Sequence, residues 1–316
     1  MYFPYLYGRR SELLALRSAS ANYFSSGVVV PVIEPVVTKW NDLARCLEDL
    51  GKNGHQAVVV MNPYQGELKA GAGAEWRKEV NAVLTKYPSL LPGCLCRKGV
   101  TSATIQNFFK KYDNRQVALL YMGSSLTDSE VKSFAAAPHV QYHISLQGKI
   151  TEAHSILLPK AKSVHILDNF NKQLRNADYS GQEYFSDRHK GFAKKGVGFG
   201  DYTVIGSELN LGGGPAGAIA IHATYKNEDN DDIWVEHFVS DETDVNVGTA
   251  EEKYLDAVAK LTAAHPPREH EFGLNPALEA YFEDNLAGHF PGLGKNKERQ
   301  IHHHIALMHD VLTGDV

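Results

Sequence analysis

The stretch MYFPYLYGRRSELLALR at residues 1–17, followed at 28–36 by VVVPVIEPV, decides how the whole chain is read. An apolar run without alternation gives way to two arginines and then to a helical pattern. Strands covered on both faces read as continuous apolar runs, so the pattern implies parallel pairing with helices outside. Working outward, such runs recur at YFPYL (2–6), VVVPVI (28–33), AVVVM (57–61), LPGCLC (91–96), VALLYM (117–122), VQYHISL (140–146), SVHIL (163–167) and VGFGDYTVIG (197–206).

The intervals between them read as helices. SELLALRSASANYF (11–24) takes Ser11 as its N-cap, and TKWNDLARCLEDL (38–50) takes Thr38. AEWRKEVNAVLTKY (74–87), TSATIQNFFKKY (101–112) and TDSEVKSFAAA (127–137) follow, the last with a capping box from Thr127 to Glu130. Eight strand and helix units predict an α/β fold of the (β/α)8 TIM-barrel-like type over 1–206. A hairpin extension over 207–245 and a helical part over 246–316 complete a single domain.

Two stretches break the rhythm. Residues 169–196 are polar with no clean period, as in a lid or mobile connection. GGGPAGAIAIHATYKNEDNDDIWVEHFVSD (212–241) reads as an antiparallel hairpin around an acidic turn.

At 316 residues, with 43% hydrophobic and 22% charged residues, the chain is long enough for a large core. The net charge of −5 argues against a surface uniformly shaped for nucleic acid. Three cysteines, Cys46, Cys94 and Cys96, make an odd count that fits a reducing compartment. Without a long apolar run or a leader-like start, the expected location is cytoplasmic, with no membrane partner.

In a closed parallel barrel all strand tips reach one rim. The tips in order are Gly8-Arg9-Arg10, Glu34, Asn62, Arg97-Lys98, Met122-Gly123, Ser145, Asp168 and Asp201. Charges directly after buried runs are partly desolvated and need partners. Glu34, Asp168 and Asp201 could serve as base or as oxygen ligands for a divalent cation, with Lys98 completing the catalytic set. Arg9, Arg10, Asn62 and His222 would bind substrate, the arginines on phosphate. Salt-bridged plugs of the barrel mouth explain the same residues without chemistry, and paired carboxylates equally suit glycoside hydrolysis.

Other features read as structural. His302, His303 and His304 point in different directions on a helix, and His309 lies seven residues from His302, too far to share one ion. That helix reads as an ordinary amphipathic one. GGGPAG (212–217) and GVGFG (196–200) lack the rest of a phosphate or dinucleotide motif, and turns account for both, although GVGFG could also cradle an anion. His222 and the pair Glu236 and His237 would lie on the hairpin, in core or cross-strand contacts.

MYFPYLYGRRSELLALR, VVVPVIEPV, VMNP (60–63), GFGDYTVIGSE, GGGPAGAIAIH and the IHHH helix together resemble an uncharacterised bacterial family related to the beta proteins of phage and bacterial genomes. The resemblance spans most of the chain. It implies a barrel-like α/β fold, a setting among mobile-element or phage-defence genes and a nuclease-like protein partner, and it names no catalytic residue. Its pattern coincides with Arg9, Arg10, Glu12, Glu34, Asn62 and Asp201. The strand-end carboxylates and basic residues, and not the resemblance, set the expected function: a hydrolase-like barrel enzyme acting on a phosphate-bearing substrate, a nucleotide or nucleic-acid fragment, in a phage-defence setting. The alternative is a non-catalytic sensor or partner-binding subunit in a defence or toxin-related system.

Overall fold

The computed structural model describes residues 1–69, 73–210, 212, 214 and 217–316. Eight parallel strands form one sheet in sequence order. They are β1 (Tyr5–Leu6), β2 (Val32–Ile33), β3 (Ala57–Val60), β4 (Leu90–Arg97), β5 (Val117–Met122), β6 (Val140–Leu146), β7 (Ser163–Ile166) and β9 (Gly198–Gly200). β8 (Gly181–Ser186) lies between the last two in the chain but belongs to a second sheet.

The eight strands nearly close into a barrel. Tyr2 bridges Phe199 in parallel, and the N–H groups of Phe3 and Tyr5 donate to the carbonyls of Phe199 and Asp201, each at 2.8 Å. Successive side chains leave the wall on opposite faces. Phe3, Tyr5, Val32, Val58, Val60, Leu120, Ile144 and Ile166 fill the interior. Tyr2, Leu6, Ile33, Val59, Leu119 and Phe199 face the helices outside.

Closure explains Gly198 and Gly200 of GVGFG. A Cβ on Gly200 would lie 1.9 Å from the Phe3 carbonyl oxygen, and one on Gly198 would lie 2.3 Å from the Phe3 ring. Only glycine lets β9 come this close to the first strand. Neither a turn nor an anion cradle is therefore the reason for them, contrary to the sequence reading. Half of GGGPAG, residues 213, 215 and 216, lies outside the described residues.

Helices α1 (Arg10–Asn22), α2 (Asn41–Lys52), α3 (Ala74–Lys86), α4 (Ser102–Lys111), α5 (Asp128–Ala135) and α6 (Glu152–Leu157) follow the first six strands. The Thr127 and Glu130 capping box is present as expected. Two other caps differ. Ser11 sits inside α1, whose start is fixed instead by Glu12, which accepts the Arg9 N–H at 2.7 Å. Thr38 lies before α2 and bonds Glu67 through its N–H and hydroxyl at 2.8 and 2.7 Å. In both places a carboxylate three residues or a whole unit away outcompetes the hydroxyl for exposed donors.

The expected hairpin is present as β10 (Ala220–Lys226) and β11 (Ile233–Val239). It is one part of a three-stranded antiparallel sheet in the order β10, β11, β8. The 169–196 segment therefore contains a strand where the sequence reading saw none. β8 reads as polar because Gln182 and Tyr184 are exposed and only Phe185 and Ser186 are buried.

Helices α7 (Ala250–Ala264), α8 (Glu269–Phe272) and α9 (Pro276–Ala287) pack with the second sheet around Ile221, Tyr225, Tyr254, Leu261 and Phe272. α10 (Leu293–Thr313) contributes Ile301, Ile305, Leu307 and Met308 to the outer barrel layer. Every residue from Gln300 to Asp310 is buried, so α10 is a central helix and not an ordinary amphipathic one. Its polar residues complete the free edge of β10. Asn296 and Gln300 donate to the Ala220 carbonyl at 3.3 Å, Gln300 accepts the His222 N–H at 3.0 Å, and His303 Nε2 lies 2.8 Å from the Thr224 carbonyl. A helix thus covers an edge that would otherwise expose unpaired backbone groups. Among the described residues no helix is long and apolar enough to cross a membrane. All three cysteines are buried and free.

Candidate functional site

The structure does not bring Glu34, Lys98, Asp168 and Asp201 together. Glu34 follows outward-facing Ile33 and so points into the barrel, where it accepts the Tyr5 hydroxyl at 2.7 Å, the Tyr64 N–H at 3.2 Å and the Gln65 amide at 3.1 Å. Burial pushes its pKa up against the opposing effect of these donors. Asp201 follows Phe199 by two residues and leaves the wall on the outer face. It accepts the Tyr2 hydroxyl at 2.6 Å and the Thr203 N–H at 2.9 Å, and it lies 3.2 Å from His304 Nε2. Burial opposes its ionisation, but His304 and the two donors hold its carboxyl below the usual range.

The other rim residues are also occupied locally. Asp168 is exposed and accepts the N–H groups of Phe170 and Ser207 at 3.2 and 2.8 Å, tying two loops. Asn62 pairs with the Leu95 backbone through both its amide atoms, at 3.0 and 2.7 Å, as a substitute rung of the ladder. Lys98 is exposed, and the cation near Glu34 is Arg97, stacked 5.1 Å from the Tyr64 ring centre. Tyr5, Tyr7 and Tyr202 pack at 4.8 to 6.2 Å between ring centres and stopper the barrel mouth. A cavity of about 250 Å³ remains above them, lined also by Gln65, Gln147 and Lys149.

Arg9, Arg10 and His222 do converge, on a different opening. A cleft of about 1290 Å³ lies between the barrel and the second sheet, and all three residues line it. Its walls include the first turns of α1 (Arg10, Ser11, Glu12) and of α10 (Leu293, Gly294, Asn296, Lys297). The positive dipole ends of both helices therefore border the cleft. Arg9 is anchored by two guanidinium contacts of 3.2 Å to fully buried Glu12, and it also donates to the Asn210 carbonyl. Lys297 reaches into the cleft with no ion pair among the described residues. Desolvation at the cleft wall, Arg9 and Lys172 lower its pKa, against Glu12, while the side chain stays open to solvent.

The cleft's carboxylates are already engaged. Glu12 is satisfied by Arg9 and the Tyr7 N–H, and Asp244 accepts the Asn246 N–H at 2.9 Å. Arg175 is paired with Asp178 at 2.6 Å. Arg10 and Lys297 are left to meet an incoming anion.

At the inner wall His222 stands opposite His237 across the β10 and β11 ladder, with the two Nδ1 atoms 2.8 Å apart. His237 Nε2 lies 3.1 Å from Glu183 Oε1. Burial lowers both pKa values, that of His222 well below the ordinary value. The expected cross-strand contact is therefore present, and Glu236 is held by Arg268 instead. Sequence reasoning missed Glu183, hidden in the polar segment, and Lys297, one cation among several in GKNKER.

A metal fits less well. His309, Asp310 and Asp315 place ligand atoms within 4.8 Å of one another. Yet His309 Nε2 accepts the Ser25 N–H at 3.0 Å while Nδ1 faces Asp310 at 3.0 Å, so neither nitrogen has a free lone pair. His303 and His304 are spent on Thr224 and Asp201.

No family model matches this sequence, and no curated protein does. The cleft must therefore be read from its own chemistry.

Proposed function

We propose that the protein binds a phosphate-bearing ligand, a nucleotide or a short nucleic-acid fragment, in the cleft between α1, α10 and β10, and acts on it as a hydrolase. The observation that carries this reading is the meeting of two helix N-termini with Arg9, Arg10 and Lys297 on one opening. Phosphate oxygens accept hydrogen bonds from such donors, and arginine can engage two of them at once. The volume is more than enough to admit a nucleotide-sized ligand. Glu34 and Asp201 leave the chemistry of this reading and serve the barrel wall.

The test is calorimetric titration of the full chain with a nucleoside monophosphate. Arg10→Ala and Lys297→Ala each remove a charged donor without disturbing the Arg9 and Glu12 pair, and each is expected to weaken binding by about tenfold, or about 1.4 kcal/mol. Affinity should also fall with added salt. Unchanged affinity in both variants sinks the reading.

The stoppered barrel mouth favours a second reading, a binding module without turnover, because the usual reactive face of such a barrel is filled by Tyr5, Tyr7 and Tyr202. It predicts the same ligand affinity with no product formed.

A further inference from the structure

The histidine pair has a direction. Glu183 is an acceptor, so the proton between it and His237 resides on His237 Nε2. A neutral His237 then has a bare Nδ1, and the hydrogen in the 2.8 Å contact belongs to His222 Nδ1. His222 Nε2 is left with its lone pair and has no partner among the described residues, while the residue itself is 8% exposed and lines the cleft. Phe170 and Tyr179 pack on the pair, at 5.1 and 4.4 Å from the His222 ring centre. They fix both rings and keep water from their flanks.

We propose that His222 is the proton acceptor for hydrolysis of a phosphate ester in the cleft, with His237 and Glu183 as positioning residues. The inference rests on the anion-binding reading of the cleft. In the step, a water molecule gives one proton to His222 Nε2 as its oxygen bonds to phosphorus. The bond from phosphorus to the ester oxygen breaks, and that oxygen leaves as an alcohol once it takes the proton back from the imidazolium. Glu183 stabilises the charge passing through the pair, and Arg10 and Lys297 meet the phosphate oxygens.

The full chain is assayed with p-nitrophenyl phosphate and bis(p-nitrophenyl) phosphate, with inorganic phosphate binding followed by calorimetry. His222→Gln is expected to bind phosphate within about twofold of the parent and to lose at least about 100-fold in turnover. Glu183→Gln keeps an acceptor for His237 but removes the charge, so kcat falls while KM is nearly kept. The acidic limb of its rate profile moves to lower pH, since His222 becomes harder to protonate. Groups facing His222 that also titrate or carry charge are His237, Glu183, Tyr179 and Lys297, with Arg9 and Arg10 across the cleft.

Long-range proton and nitrogen correlation spectra of the parent should show His222 protonated on Nδ1 and His237 on Nε2. The opposite tautomer of His222 overturns the assignment even where variants fail to fold. Turnover retained in His222→Gln overturns it too, as does a parent that binds phosphate but cleaves neither ester; both leave the cleft reading standing. Absence of phosphate binding removes the cleft reading first.

Discussion

Glu34 and Asp201 show how one residue of strand parity decides a role. Both follow buried apolar runs and both were expected at a shared opening, yet one faces inward to Tyr5 and the other outward to Tyr2 and His304. The tips were legible, and the separation was too: counting alternate positions from Ile33 and Phe199 places the two carboxylates on opposite faces. Lys98 and Asn62 were not legible, because a ladder-mimicking amide and an exposed lysine leave no sequence signature. Asp201→Ala strands three buried donors and should cost about 4 kcal/mol or more, whereas Asp201→Asn keeps the acceptor oxygen and should cost about 1–3 kcal/mol. Urea unfolding of both variants measures the difference, and equal losses contradict the network described.

Among the elements, β9 is the most exacting. Its glycines were read in the sequence as turns or an anion cradle, but Gly198 and Gly200 admit the first strand and not a ligand, and only the nearly closed topology reveals this. Gly200→Ala drives a methyl group into the Phe3 carbonyl and is expected to cost more than about 3 kcal/mol, seen as a large fall in thermal midpoint. Gly99→Ala is the control for alanine at a glycine with open space around it, though its φ of +87° carries its own backbone strain. The strands of the barrel were readable because continuous apolar runs have one meaning in this setting. β8 was not, because a strand wet along most of its length carries polar residues and resembles a loop. Likewise α10 looked merely amphipathic, because helical periodicity cannot show that Asn296, Gln300 and His303 meet the edge of another sheet.

For the molecule as a whole, buried neutral histidines set the response to acid. Burial pulls His143 and His302 down to about 4 and His303 to about 3, from an unfolded value of 6.5. Below pH 6.5 the unfolded chain takes up protons that the folded chain refuses, so stability is full above 6.5 and is lost as pH falls toward 4. At pH 5 each of the three should cost about 2 kcal/mol. Urea midpoints between pH 7.5 and 5 check this, and a flat profile contradicts the burial described. The cleft belongs to this scale as well: α1, β10 and α10 are some 200 and 300 residues apart in sequence yet share one wall. Sequence reading grouped Arg9, Arg10 and His222 with Asn62 as substrate-binding residues; only the packing of the late helix against the first one shows the opening that the three share without Asn62.

The contact between Tyr2 and Phe199 has a consequence during synthesis. Until residue 199 emerges from the ribosome, the opening strand has no second neighbour, and six or seven parallel strands must wait as an open, sticky sheet. Slow, chaperone-sensitive maturation is the expected cost of a wall whose first stave is also the one that meets its last.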